Sequence, residues 1–241
     1  MAALTYRLIS LLVVLQVPTL PANILDLSTW KLTLPLRSQP PGHATEVEAS
    51  ELTKYRHPDF FFVNSSGEGV VFRAPCGGVT TRGSKYPRSE LREMTAEGKQ
   101  RAAWSTDDPR LHTMQARLAI THLPANKPHV VCAQIHDEDA DVLMIRLEGT
   151  RLLIERTGEK DVVIDRNYQL DTPFDLKITA GNRLVSVWYN GEQRLNWPVS
   201  RTGCYFKAGC YTQSNVARGD APQDYGEVVY YSLTLAATSN P

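Results

Sequence analysis

The sequence predicts an all-β sandwich or jelly roll, and three observations carry that prediction. Short runs of alternating apolar and polar residues recur along the chain, 15 glycines and 15 prolines punctuate them, and stretches with a helical period are few. At 241 residues the chain suits one large β domain with a sizeable core. No internal repeat, low-complexity tract or interdomain linker divides it.

Residues 1–22 read as a secretory signal. Arg7 is the only charge before Asp26, residues 8–17 are almost wholly apolar, and residues 18–22 end the run with a small residue before Asn23. Leu20 is larger than that position prefers. This segment predicts a secreted, extracellular protein whose single domain spans residues 23–241. Within it, residues 24–34 are expected to form the first strand and residues 35–49 a loop. Residues 60–63 and 69–74 read as short strands split by the turn Asn64-Ser65-Ser66-Gly67. Later strands are expected over residues 162–164, 174–180, 184–189, 192–197 and 227–236. Asn190-Gly191 is a strong hairpin signal, because both residues tolerate positive φ.

The 26 Lys and Arg balance the 26 Asp and Glu, so net charge selects no partner, although a local cluster of arginines still can. The four cysteines, Cys76, Cys132, Cys204 and Cys210, lack the close spacing of a metal site. In an oxidising compartment they leave room for one disulfide, or two. A regular strand would put Cys204 and Cys210 about 20 Å apart, which excludes a bond between them unless the chain turns sharply at Gly203 or Gly209. Cys76 is then the partner of Cys204 or Cys210 if any bond forms. Cys132 is expected as a free thiol beside Gln134 and His136. Asn64-Ser65-Ser66 is also a glycosylation sequon.

Three stretches carry candidate chemistry. In Tyr86-Pro87-Arg88-Ser89-Glu90-Leu91-Arg92-Glu93 the local preference is helical. As a strand it would place Arg88, Glu90 and Arg92 on one face, with Glu90 holding two guanidiniums ready for a carboxylate. The bland alternative is a solvated, salt-bridged face. In Val131-Cys132-Ala133-Gln134-Ile135-His136 the spacing puts Gln134 and His136 on one face and Ile135 on the other. In Tyr205-Phe206-Lys207-Ala208-Gly209-Cys210-Tyr211-Thr212-Gln213, alternate positions present Tyr205, Lys207, Tyr211 and Gln213. Gly209 leaves a gap among them, while Phe206, Ala208 and Cys210 face a core. This looks like the floor of a saccharide groove, or else the polar outer face of an amphipathic strand.

Together, Arg88-Ser89-Glu90-Leu91-Arg92, Gln134-Ile135-His136 and Tyr205 to Gln213 resemble, in order, the three signature motifs of polysaccharide lyase family 7, the alginate lyases. Ile24-Leu25-Asp26-Leu27-Ser28-Thr29-Trp30-Lys31-Leu32-Thr33-Leu34-Pro35 resembles the opening strand of that family. The resemblance implies a β-jelly roll, a concanavalin-like sandwich, with a concave groove for the polymer. It also implies that Arg88 to Arg92 is strand. The implied reaction is β-elimination: the C5 proton of a uronate leaves beside a neutralised carboxylate, and the glycosidic O4 is expelled.

By resemblance the catalytic residues are Arg88, Gln134, His136 and Tyr211. The first three neutralise the carboxylate, with His136 a further donor or, on guluronate, a base. Tyr211 is the acid towards O4, and either His136 or Tyr211 is the base. Glu90, Arg92, Tyr205, Lys207 and Gln213 support the site or bind substrate. Ile135 between Gln134 and His136 goes, in the family, with guluronate-containing blocks. No metal or cofactor is required; the implied partner is alginate, with no nucleic acid or membrane, and the protein is expected to be a monomer. The rival readings are a lyase on another polyuronate such as glucuronan, a non-catalytic carbohydrate-binding jelly roll, and a hydrolase. A hydrolase would need two placed carboxylates, for which only Asp137 to Asp141 offers candidates.

Overall fold

The computed structural model describes residues 19–39 and 42–239. Most of the expected signal segment lies outside the described residues. What is described of it ends in a 3₁₀ turn, Pro21–Asn23, with Pro21 buried. Among the described residues no helix is long and apolar enough to cross a membrane.

Among the described residues, fifteen antiparallel strands form two sheets. In chain order the first seven are β1 (Trp30–Arg37), β2 (Ala44–Val47), β3 (Phe61–Val63), β4 (Val70–Pro75), β5 (Arg88–Glu93), β6 (Arg110–His122) and β7 (His129–His136). There follow β8 (Asp141–Glu148), β9 (Arg151–Arg156), β10 (Val162–Asp165), β11 (Phe174–Gly181) and β12 (Leu184–Tyr189). The last three are β13 (Glu192–Pro198), β14 (Tyr205–Thr212) and β15 (Tyr225–Ser239). One sheet has the order β10-β9-β8-β7-β14-β5-β1-β2, and the other β13-β12-β11-β6-β15-β4-β3. Period-2 alternation drives the packing. Leu32, Leu34, Leu91, Phe206 and Ala208 of the first sheet meet Phe72, Met114, Leu118, Ile178 and Tyr230 of the second in one core. Each large apolar side chain buried there contributes about 1.5–3 kcal/mol. Opposite faces of the same strands stay polar, so Lys31 and Thr33 of β1, and Arg88, Glu90 and Arg92 of β5, point away from the core.

Several expectations need correction. The first strand begins at Trp30 rather than residue 24, because Asp26 turns the chain by accepting from both the amide and the hydroxyl of Ser28. Residues 35–49 are not one loop. Pro35 lies inside β1 beside an irregularity, β2 pairs back onto β1, and a short helix, Ala49–Leu52, starts with a capping box. The long strand β6 and the pair β8 and β9 were not among the expected strands. The hairpin at Asn190-Gly191 is as expected, with φ of 50° and 81°.

All four cysteines are buried and free, so the disulfide between Cys76 and Cys204 or Cys210 is absent. Cys204 precedes the regular strand, where it bridges to Trp104. Cys132 faces the core instead of the groove. The pairing of β7 with β8 slips between Val131 and Ala133, so Cys132 is an extra residue and the alternation changes phase there. Its thiol donates to the carbonyl of Ile145, 3.5 Å away. β14 carries a matching slip against β7 between Ala208 and Tyr211. The hydroxyl of Tyr230, reaching across from the other sheet, fills the gap: it donates to the carbonyl of Cys132 and accepts from the amide of Gly209. The backbone groups freed by the bulge are thereby satisfied.

Candidate active site

The floor is built where β7, β14 and β5 lie side by side, and the register decides which side chains meet. His136 pairs with Tyr205, Gln134 with Lys207, Lys207 with Arg92, and Tyr211 with Arg88. Along the strands the order is therefore His136 and Tyr205, then Gln134, Lys207 and Arg92, and last Arg88 and Tyr211. Above them runs a groove of about 670 Å³ that crosses from β2 to the loop after β7. Eight of the sequence-predicted residues gather here or directly beneath. Gln213 does not line the groove. Its amide accepts from Arg146 at 3.3 Å and lies against the sulfur of Met144, one step beyond the floor.

Glu90 organises the floor from below, at 2% exposure. One oxygen accepts from Arg88 Nη1 at 2.9 Å and from Lys207 Nζ at 2.6 Å, and the other accepts from the Gln134 amide. Burial alone would raise the Glu90 carboxyl, but Lys207, Arg88 and Gln134 outweigh it and hold it below the usual carboxylate range. Glu90 thus holds Arg88 and Lys207, not the two arginines expected. Arg92 pairs with Glu46 of β2 at 3.3 Å. Burial, reinforced by Arg88, brings the Lys207 ammonium down to about 8. Two cations on one carboxylate leave the floor with positive charge to spare.

Gly209 is a glycine for a reason other than an open gap. Its φ is +143°, and an added Cβ would lie 2.6 Å from the carbonyl of Ser89 and 2.8 Å from the Cα of Glu90. The backbones of β14 and β5 therefore approach closely at this point, which brings Glu90 under Lys207.

At one end, His136 Nδ1 lies 2.6 Å from the carbonyl oxygen of Asp137. A carbonyl only accepts, so Nδ1 carries the proton and Nε2 keeps its lone pair. Burial lowers the imidazole, only partly opposed by Asp137, so it stays neutral at pH 7. The hydroxyl of Tyr205 lies 3.1 Å from the same nitrogen. At the other end, the Arg88 guanidinium lies over the Tyr211 ring, 3.9 Å from its centroid. Ser84 stands 3.3 Å from the Tyr211 oxygen and 3.1 Å from Arg88 Nη2.

His43, Glu138 and Asp139 line the ends of the groove, as expected of the loops over residues 40–51 and 137–141, whereas Ser84, Thr81 and Arg82 on its wall were missed by sequence reasoning. These three sit in a loop, where no periodicity marks the direction of a side chain. A second depression of about 690 Å³ lies on the outer face of the other sheet. There Arg117 is already paired with Asp175 at 3.1 Å, and Lys177 covers the ring of Trp188.

The alginate lyase family model matches residues 25–237. The chain is 50% identical to alginate lyase AlgAT5 from polysaccharide lyase family 7, with 91% of this chain and 99% of that one covered and a TM-score of 0.87. It is 42% identical to the alginate lyase from Corynebacterium sp., with 92% and 99% covered and a TM-score of 0.86. An alginate lyase A1-II′ variant, solved in complex with product (GGG), is 25% identical, with 90% and 99% covered and a TM-score of 0.78. An alginate lyase of Klebsiella pneumoniae is 40% identical over 80 residues, which span only 26% of that protein. With its motifs in family order on a two-sheet jelly roll, the chain belongs to the alginate lyases of polysaccharide lyase family 7.

Proposed function

We propose that this protein is a secreted, monomeric, endolytic alginate lyase that prefers guluronate-containing blocks, with Arg88, Gln134, His136 and Tyr211 as its catalytic residues. The observation that carries this reading is the pair of groups flanking the floor: a neutral imidazole with a bare Nε2 at one end and a phenol at the other. A polymer lying across the strands would pass between them.

The C5 proton of a uronate is hard to remove while the adjacent carboxylate is charged, because the carbanion would sit beside an existing negative charge. Arg88 and the second N–H of the Gln134 amide offset that charge, with Lys207 and Arg92 adding to the field. His136 Nε2 takes the C5 proton, the C4–O bond breaks as the C4=C5 double bond forms, and Tyr211 gives its proton to the departing O4. An imidazole already donating through Nδ1 cannot also donate through Nε2, which favours the role of base over that of a second carboxylate donor. In guluronate the C5 proton and O4 leave from opposite faces of the ring, and in mannuronate from the same face. Two separate groups on two flanks suit the first case, and the A1-II′ structure with product (GGG) is in keeping with it. Endolytic action is supported by the groove crossing the sheet from β2 to the loop after β7, a path that suits a chain lying across it. Secretion rests on the character of residues 1–22.

Incubation with polyguluronate and polymannuronate blocks, followed by ultraviolet absorbance of the new conjugated double bond, tests the reading. Wild type should act faster on polyguluronate, and Tyr211→Phe should lose about 10²–10⁴-fold in rate, the usual scale of a general acid. New reducing ends without the absorbance would indicate a hydrolase. Neither signal would leave a binding module, and activity on glucuronan alone would move the substrate to another polyuronate.

A further inference from the structure

We propose that Ser84 is a positioning residue for the elimination: its hydroxyl donates to the Tyr211 oxygen, which keeps the phenol's own proton free for the groove. This rests on the reading of Tyr211 as the acid. Ser84 lies in the loop between β4 and β5, half-buried on the groove wall.

Among the described residues its Oγ has four polar neighbours. The amide of Tyr86 lies 3.2 Å away and Arg88 Nη2 3.1 Å away. The carbonyl of Tyr86 lies at 3.1 Å and the Tyr211 oxygen at 3.3 Å. A serine hydroxyl accepts two hydrogen bonds and donates one. The Tyr86 amide and the Arg88 guanidinium can only donate, so they fill both lone pairs. What remains is one proton on Ser84 and two acceptors for it, the Tyr86 carbonyl and the Tyr211 oxygen.

Two consequences follow for Tyr211. It finds no free lone pair on Ser84, so its own proton is not spent there and can be given to O4. Once that proton has left, the Ser84 proton can shift wholly from the Tyr86 carbonyl to the new phenolate, matching a donor to charge as it develops. The same hydroxyl ties the phenol to Arg88, which lies over the Tyr211 ring and is anchored at its other nitrogen by Glu90. The loop itself is fixed, since the Ser84 amide donates to the carbonyl of Thr81 at 3.1 Å and Asn215 Nδ2 to that of Lys85 at 2.8 Å. A serine serving the turn alone would need only Tyr86. Its convergence on Arg88 and Tyr211 marks the further role.

The test is a double-mutant cycle on alginate, read by ultraviolet absorbance. Ser84→Ala should lower kcat about tenfold, the scale of one hydrogen bond. KM should stay within about twofold, and Ser84→Thr, which keeps the hydroxyl, should return kcat to within about threefold of wild type. In the Tyr211→Phe background the oxygen is gone, so adding Ser84→Ala should change the residual rate by less than about twofold. A Ser84→Ala enzyme with wild-type kcat overturns the proposal, as does a threonine variant no better than alanine. A tenfold loss that persists in Tyr211→Phe also overturns it, because Ser84 would then act through Arg88 or the turn. If Tyr211→Phe alone keeps the wild-type rate, the assignment of Tyr211 as acid fails and the proposal falls with it, whereas a persistent Ser84 effect leaves that assignment standing.

Discussion

Two arginine clusters sit on the same face of the same sheet and differ in which charge is outnumbered. At the floor, Arg88 and Lys207 share one carboxylate, Glu90, and Arg92, next to Lys207, has Glu46 at 3.3 Å, so three cations face two carboxylates. One step along, on β8, Arg146 faces three carboxylates: Glu155, Glu148 at 2.7 Å and Asp161 at 3.8 Å. Both clusters use the same pleat and the same residue types. Only the floor keeps uncompensated positive charge, which a polyanion would feel at close range. Around Arg146 the carboxylates would repel such a chain, so the change of sign marks an edge of the groove. An arginine–glutamate pattern by itself therefore says little about binding; the surplus decides.

Removing the shared carboxylate from the floor is expected to have the largest effect. Glu90→Gln keeps the shape but leaves Arg88 and Lys207 facing each other without a counter-charge at a buried position. Breaking a buried pair in this way costs about 3–5 kcal/mol, readable by urea denaturation. The rate on alginate should fall at least about 100-fold, since Arg88 and Gln134 both lose their anchor. The Glu90 carboxyl is held below its ordinary value of 4.5, so its stabilisation is present above that pH and fades as pH falls through the folded value. The stability gap between wild type and Glu90→Gln should accordingly close in acid. A gap independent of pH would mean that Glu90 acts through packing and not through charge.

Much of the floor was legible in the sequence, because strand alternation is enough to align Arg88, Glu90 and Arg92, or Lys207 and Tyr211. Local propensity alone pointed residues 88–92 to helix; the pairing of β5 between β1 and β14 overrides it. What failed did so at interruptions of the period. A one-residue bulge sends Cys132 to the core beside Ala133, and nothing in Val131-Cys132-Ala133 announces it. Gln213 follows the last residue of β14 and turns to Arg146, a partner 67 positions away. Ser84 belongs to a loop, where neighbours are set by tertiary placement. The cysteines misled because simple burial, which raises the Cys76 and Cys204 thiols to about 12, looks in sequence no different from disulfide use.

A smaller effect should appear in the pH profile of kcat/KM, which reports the free enzyme. Burial holds the His136 imidazole below its usual 6.5, so activity should rise through a midpoint below that value as Nε2 loses its proton. Lys207, at about 8, should give up its proton on the alkaline side and take with it part of the attraction for the polyanion. The decline there should amount to about tenfold or less, because Arg88 and Arg92 stay charged. Lys207→Met should flatten that decline and leave the acid limb in place. An unchanged alkaline limb in Lys207→Met would separate the surplus charge of the floor from this lysine.

The smallest effect is expected at the other cluster, from the matched substitution Glu155→Gln. Burial, with the repulsion of Asp141, Asp161 and Glu148, raises the Glu155 carboxyl despite Arg146. A carboxyl raised in the folded state opposes folding when ionised, and the penalty is relieved as pH falls through the folded value towards 4.5. Glu155→Gln should therefore stabilise the protein slightly near neutrality, by about 1 kcal/mol or less for a partly exposed pair, and this gain should vanish in acid. The sign is opposite to that of Glu90→Gln at the same pH. The rate on alginate should stay within about threefold of wild type, because Arg146 already has Glu148 and gains no access to the floor. A loss as large as that of Glu90→Gln would show that the polymer reaches over β8, and that the edge of the groove lies beyond Arg146.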